Sequence, residues 1–392
     1  MVATKEVKGA FVGGWKPLEP EDESTDAEKA GILAVGSALK DELGAILGAE
    51  NLVVLAGLGT SLSIPNYEAG HLGAPTMSDL WRDVVVLPEL NAIRGTLNPA
   101  ILATENLEYV LSDAQARAAL ATAPGDPELQ AFISAAEDII WKRCNFVDEG
   151  SGLEVHELFL RKVARRSTRM QRAQLYTTNY DLAFETAAAR AHFNVIDGFG
   201  FSSQEFDGAS FDLDFVRRRQ NEPLSLEPNV FHLLKLHGSV DWNADGDRVR
   251  RVCGGMRPAD PVLIYPSAAK YQLSFRQPYL EFMSRFQSAL RQPDVGVLIV
   301  GFGFNDEHLV APLEAALRSN VGLRIAIVSP GIRAAGRSAS LGWIERLVDQ
   351  GDRRITLLAA TFEELVRLLP DTPAKEEREA HALRVLAAGG RT

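Results

Sequence analysis

Apolar runs free of charge recur along the chain with long polar stretches between them. Val53-Val54-Leu55-Ala56 is one, and it stops abruptly at Gly57-Leu58-Gly59-Thr60-Ser61. Such a run reads as a strand buried on both faces that enters a tight turn. Upstream, Ile32, Leu33, Val35, Leu39, Leu43 and Leu47 keep helical spacing and predict an amphipathic helix over 27–47. Downstream, Leu107, Val110 and Leu111, then Phe132, Ile133, Ile139 and Ile140, recur at the same spacing, with a break at Pro124-Gly125-Asp126-Pro127. Further strands are predicted at 173–178, 195–196, 231–236, 261–265, 295–300, 323–328 and 355–358, with helices at 181–191, 306–318 and 341–350. This alternation predicts an α/β fold, a Rossmann-like open parallel sheet with helices on both faces and a helical insertion at about 76–170.

The predicted organisation is an N-terminal arm at 1–27, a nucleotide-binding domain at 28–370, and a C-terminal tail or helix at 371–392. The arm scatters Phe11, Val12 and Trp15 among Gly, Pro and acidic residues, so it is either mobile or docked through those three. With 392 residues, 46% hydrophobic and 24% charged, the composition is that of an ordinary globular protein. A formal net charge of −11 argues against direct nucleic-acid binding. One basic run (Arg161, Lys162, Arg165, Arg166, Arg169, Arg172) reads as a solvated helix face or a binding patch. Cys144 and Cys253 fit no metal-ligand spacing, so no metal is expected. No apolar stretch approaches the roughly 20 residues that span a bilayer, and no secretory segment opens the chain. The expectation is a cytoplasmic protein with reduced thiols.

Four strand ends carry candidate chemistry. The turn Gly57–Ser61 lacks the lysine of a Walker loop, and Leu62 stands where a dehydrogenase fingerprint needs its third glycine. Its backbone N–H groups, with the Thr60 and Ser61 hydroxyls, can hold a diphosphate at a helix N-terminus, or the turn is only structural. Tyr176-Thr177-Thr178-Asn179-Tyr180-Asp181 offers Asn179 and Asp181 to orient a carboxamide, hydroxyl or water, or to cap the next helix. Leu236-His237-Gly238-Ser239 puts a histidine at the same strand-end address, unlike His71, His156, His192 and His381, which read as structural. Gly301-Phe302-Gly303-Phe304-Asn305-Asp306 allows close approach to a second part of the ligand, or is a simple strand-to-helix turn.

In this order the motifs resemble the sirtuin superfamily over roughly residues 50–330, and more narrowly the bacterial SIR2-like proteins that degrade NAD in anti-phage defence. The resemblance implies that Gly57, Gly59, Thr60 and Ser61 hold the NAD diphosphate. Ile64-Pro65-Asn66-Tyr67 matches the family's Ile-Pro-Asp-Phe segment, with Tyr67 covering the nicotinamide side. Asn179 and Asp181 lie near the nicotinamide ribose, and His237 matches the catalytic histidine. Gly301, with Phe302 and Asn305 in its segment, meets the adenosine end. The stretch between Ser61 and Ile64 is shorter than the family pattern, Asn66 replaces an acidic residue, and Glu68 stands where arginine is frequent. Two distant cysteines supply no four-cysteine zinc ribbon, so the resemblance points to NAD hydrolysis more than to protein deacylation. The expected activity is cleavage of the nicotinamide–ribose bond, with NAD as substrate and Asn179 and His237 as the catalytic pair. The alternatives are an NAD-dependent deacylase or ADP-ribosyltransferase, and a non-catalytic NAD or ADP-ribose sensor. The family further implies a homo-oligomer that works with a separately encoded HerA-type ring ATPase.

Overall fold

The computed structural model describes residues 5–22, 24–65, 73–120, 126–200, 203–221, 223–252, 255–263 and 277–371. Asn66 and Tyr67, with Glu68, His71, Cys253, His381 and the tail beyond 371, lie outside these residues. Among the described residues, no helix is long and apolar enough to cross a membrane.

The strands are, in chain order, β1 (Glu6–Gly9), β2 (Lys16–Pro17), β3 (Asn51–Ala56), β4 (Gln174–Thr177), β5 (Asn194–Ile196), β6 (Val216–Arg217) and β7 (Ser225–Leu226). They continue with β8 (Val230–Lys235), β9 (Gly238–Asp245), β10 (Arg248–Arg251), β11 (Pro261–Leu263), β12 (Val295–Val300), β13 (Leu323–Val328) and β14 (Ile355–Ala359). A nine-stranded sheet runs β2-β1-β14-β13-β12-β3-β4-β8-β5. From β14 to β5 the pairing is parallel. Setting aside β5, the parallel strands stand in the doubly wound order 3-2-1-4-5-6, with β3 first and β12 fourth. The fold is therefore α/β with a mostly parallel sheet.

The apolar runs follow from burial on both faces. In β3, Val53 and Leu55 enter one core cluster while Leu52, Val54 and Ala56 enter the other. In β12, Val295, Val297 and Ile299 face the first and Leu298 and Val300 the second. No position faces water, so none alternates to polar. One edge departs from the parallel expectation. Residues read as an arm form β1, antiparallel to β14, and β2, antiparallel to β1. Trp15 docks through its indole N–H, which donates to Glu345 Oε1 at 2.8 Å.

The helix Asp26–Leu47 opens with a Thr25/Glu28 capping box, but only its second half is buried, through Leu39, Leu43, Ile46 and Leu47. Leu33, within the predicted apolar stripe, is exposed. Helices between Met77 and Cys144 form a third cluster that includes Val240 of β9 and Leu263 of β11. The indole of Trp141 ties this layer to β9 by donating to Val240 O at 3.0 Å.

The basic run divides: Arg161, Arg165 and Arg169 are exposed, while Lys162, Arg166 and Arg172 are drawn into the fold. Arg161 pairs with Glu157, Lys162 donates to Leu369 O, and Arg172 grips Asp214 through two nitrogens at 2.8 and 2.9 Å. Arg166 is buried and donates to the carbonyls of Leu47, Ala49 and Glu50, closing the turn before β3.

Candidate functional site

Beyond their carboxyl ends, β12, β3, β4 and β8 carry the four motifs side by side. The registers Val300↔Ala56, Ala56↔Thr177 and Thr177↔Lys235 put these strand ends in one row. Gly57 and Gly301 each follow that row by one residue, and Asn179 and His237 each follow it by two. The junction of β3 with β12 is the point where the strand order reverses, which is where open α/β sheets bind ligands.

At this junction two backbones touch. The Gly57 N–H donates to Val300 O at 2.9 Å and the Gly59 N–H to Gly301 O at 3.0 Å. A Cβ on Gly57 would lie 2.6 Å from Gly301 O, and one on Gly59 would lie 2.5 Å from Gly301 Cα. Gly301 itself has φ 64°, in the left-handed region where glycine carries no penalty. The glycines of both motifs are thus required by their mutual contact. The helix expected after the turn is a single turn, Leu58–Ser61, so little dipole builds up at its start.

Asn179 is buried and locks β4 to this turn. Its Nδ2 lies 3.1 Å from Gly57 O, 3.1 Å from Thr60 Oγ1 and 2.8 Å from Ser61 Oγ. The Thr60 hydroxyl donates to Gly57 O at 2.9 Å, and the Ser61 hydroxyl to Asp181 Oδ2 at 2.6 Å. Asp181 also accepts the N–H of Ala183, the first residue of the next helix, at 3.0 Å while holding Ser61. The donors read from sequence as a diphosphate cradle are therefore engaged within the protein. Pro65, the last described residue of its segment, is exposed.

Lys235 supports the loop from below. It is buried, and its ammonium donates to the carbonyls of Tyr180 and Asp181 and pairs with Glu185 at 3.0 Å. Burial pushes the Glu185 carboxyl up, and Lys235 opposes that shift. Nothing in the spacing singled this lysine out; a charge at the end of an apolar strand was its one visible signal.

His237 is buried, 3.8 Å from Asp306 through Nε2 and Oδ2. His308 also approaches Asp306, its Nδ1 4.0 Å from Oδ1, and the two imidazoles stack at 5.5 Å with 25° between planes. Strands β12 and β8 stand three spacings apart, about 14 Å, and five extended residues reach about 16 Å. The segment Gly301–Asp306 therefore crosses the ends of β3 and β4 to reach His237. Phe304 anchors the crossing: it is buried with φ 58° and packs on Phe302 at 5.2 Å between ring centres. Phe302 belongs to the core, whereas Asn305 is exposed. Sequence reading missed the roles of Asp306 and His308.

The fold and site define a doubly wound α/β protein whose polar residues gather at the switch point. Residues 173–337 match the family model of a SIR2-like domain. No curated protein matches the chain. The chain also shows similarity to two solved structures. A Sir2 homologue S24A mutant–ADP-ribose complex is 14% identical, with 84% of this chain and 96% of that chain covered and a TM-score of 0.33. A Sir2 homologue–NAD complex is 17% identical, with 83% and 90% covered and a TM-score of 0.34.

Proposed function

We propose that this chain hydrolyses NAD at the nicotinamide–ribose bond, releasing nicotinamide and ADP-ribose. The observation that supports this most directly is the equal depth of Asn179 and His237 beyond β4 and β8, beside the switch point. Nicotinamide leaves a cationic pyridinium as a neutral base, and positive charge develops on the ribose. Such a reaction asks for positioning and electrostatics more than for a strong nucleophile. The Asn179 amide nitrogen is spent on the glycine turn, so the role left to this side chain is acceptance, through Oδ1, from a water or ribose hydroxyl. Water adds to the ribose carbon as the bond to nicotinamide breaks, and His237 takes the proton the water sheds.

Purified protein incubated with NAD is expected to yield nicotinamide and ADP-ribose on chromatography. Asn179→Ala or His237→Ala protein that consumes NAD at the parent rate would sink these roles. A product carrying ADP-ribose on protein would mark a transferase, dependence on acyl-lysine a deacylase, and tight binding with the dinucleotide recovered intact a sensor. On the strength of the resemblance, we further propose a homo-oligomer acting with a HerA-type ring ATPase in NAD-depleting anti-phage defence. Mass measurement of the chain, alone and mixed with such an ATPase, tests the assembly.

A further inference from the structure

We propose that His237, Asp306 and His308 form a three-ligand site for a divalent transition ion, zinc by its ligand set, and that an ion bound there withdraws His237 from NAD cleavage. The second half rests on the activity proposed above; the site itself does not.

Each of the three residues offers one donor atom, and these atoms lie within 4.8 Å of one another. Two imidazole nitrogens and one carboxylate are a set that zinc and its neighbours favour. Zinc bonds of about 2.0–2.1 Å put tetrahedral ligands about 3.3 Å apart. The three donor atoms, one from each residue, span up to 4.8 Å, so closing on an ion draws them together by up to about 1.5 Å. Small side-chain rotations close the gap, most readily at His308, whose side chain is 31% exposed. Asp306 turns one carboxylate oxygen toward each histidine.

An independent feature singles out the same aspartate. Asp306 is the N-cap of the helix Glu307–Ser319, a position where Asp ordinarily accepts a hydrogen bond from the first turn. Here its carboxylate makes no capping bond. It is turned toward the imidazoles instead. His237 is deeply buried at 4% exposure, Asp306 at 16%, so an ion would be held at the mouth of the edge with its outer side left for water. His237 follows β8, whereas Asp306 and His308 start the helix that follows β12, three strands away, and no cysteine takes part.

The test is zinc titration of chelator-treated full-length protein by calorimetry, with cobalt absorption as a second readout of coordination. One zinc per chain is expected, with affinity reduced at least about tenfold in Asp306→Asn and in His308→Gln. Asn is a good N-cap, so Asp306→Asn keeps its helix start. Absence of zinc and cobalt binding overturns the site, as does binding that both variants retain undiminished. For the second half, zinc is expected to suppress NAD cleavage by the parent and to spare His308→Gln. Parent cleavage indifferent to bound zinc overturns the inhibition and leaves the site standing. Zinc binding lost in the variants of a protein that cleaves no NAD at all supports the site and counts against the activity alone.

Discussion

The two halves of the strand-end edge are built to different tolerances. Around β3 and β4, Asn179, Ser61, Thr60 and Asp181 close a network of bonds between 2.6 and 3.1 Å on a turn whose glycines touch Gly301. Around β8, Asp306 stands 3.8 Å from His237 and 4.0 Å from His308, beyond hydrogen-bond length. The first arrangement spends its polar atoms on holding the backbone. The second keeps donors close without joining them directly, which is what a group that must change partners during a reaction requires. Residues matched to the same chemistry thus divide into a tightly bonded scaffold and a looser corner.

The sharpest way to break that contrast is at the glycine contact. Gly59→Val drives a side chain into Gly301, and a loss of about 3 kcal/mol in urea unfolding is expected, with NAD cleavage lost too. Near-parent stability would show that the two turns separate easily. Next, Asn179→Ala is expected to cost about 1–3 kcal/mol because Gly57 O and the Ser61 hydroxyl lose a buried partner. His237→Gln should cost less while removing as much activity; equal stability losses would erase the distinction between the two corners.

A second histidine provides a control for burial without chemistry. His156 is packed between Phe184 and Phe362, and neither ring nitrogen has a hydrogen-bond partner among the described residues. Burial lowers its pKa from 6.5 to about 3. Between those values the unfolded chain binds a proton at this position that the folded chain refuses. The contribution is therefore whole above 6.5 and is lost as pH falls, at about 1.4 kcal/mol per pH unit. His156→Phe is expected to flatten the acid limb of a stability-against-pH curve and leave cleavage intact. Glu137, pushed up to about 7 by burial and by Asp260, titrates with the opposite sign in both proteins, so the difference between parent and variant isolates position 156. An unchanged slope would refute the assignment. The smallest effect is expected from Ser61→Ala, about 1 kcal/mol, since Asn179 still holds Gly57 O and Thr60.

Much of this was legible from the chain. Strands buried on both faces show themselves as apolar runs, and β12 and β13 were read to the residue because their side chains are apolar and buried, with exposed Arg324 the one exception. Asn179 and His237 stood out because polar groups follow such runs directly. The rest depended on distance. Val7 pairs with Leu358, and nothing in Glu6–Gly9 marks it as a strand until that partner exists. Asp306 meets His237 across 68 intervening positions and only because a short segment crosses two strand ends. The glycines were read as serving a phosphate, whereas their packing against another turn is a fact of tertiary contact that no local pattern carries.

The pairing of β1 with β14 has a consequence for how the protein is made. Glu6–Gly9 leaves the ribosome about 350 residues ahead of the strand it must join, which ends at Ala359. Until that strand is made, this segment has no seat in the sheet. An early segment thus enters the sheet late, and closure of that edge couples two parts of the chain far apart in sequence.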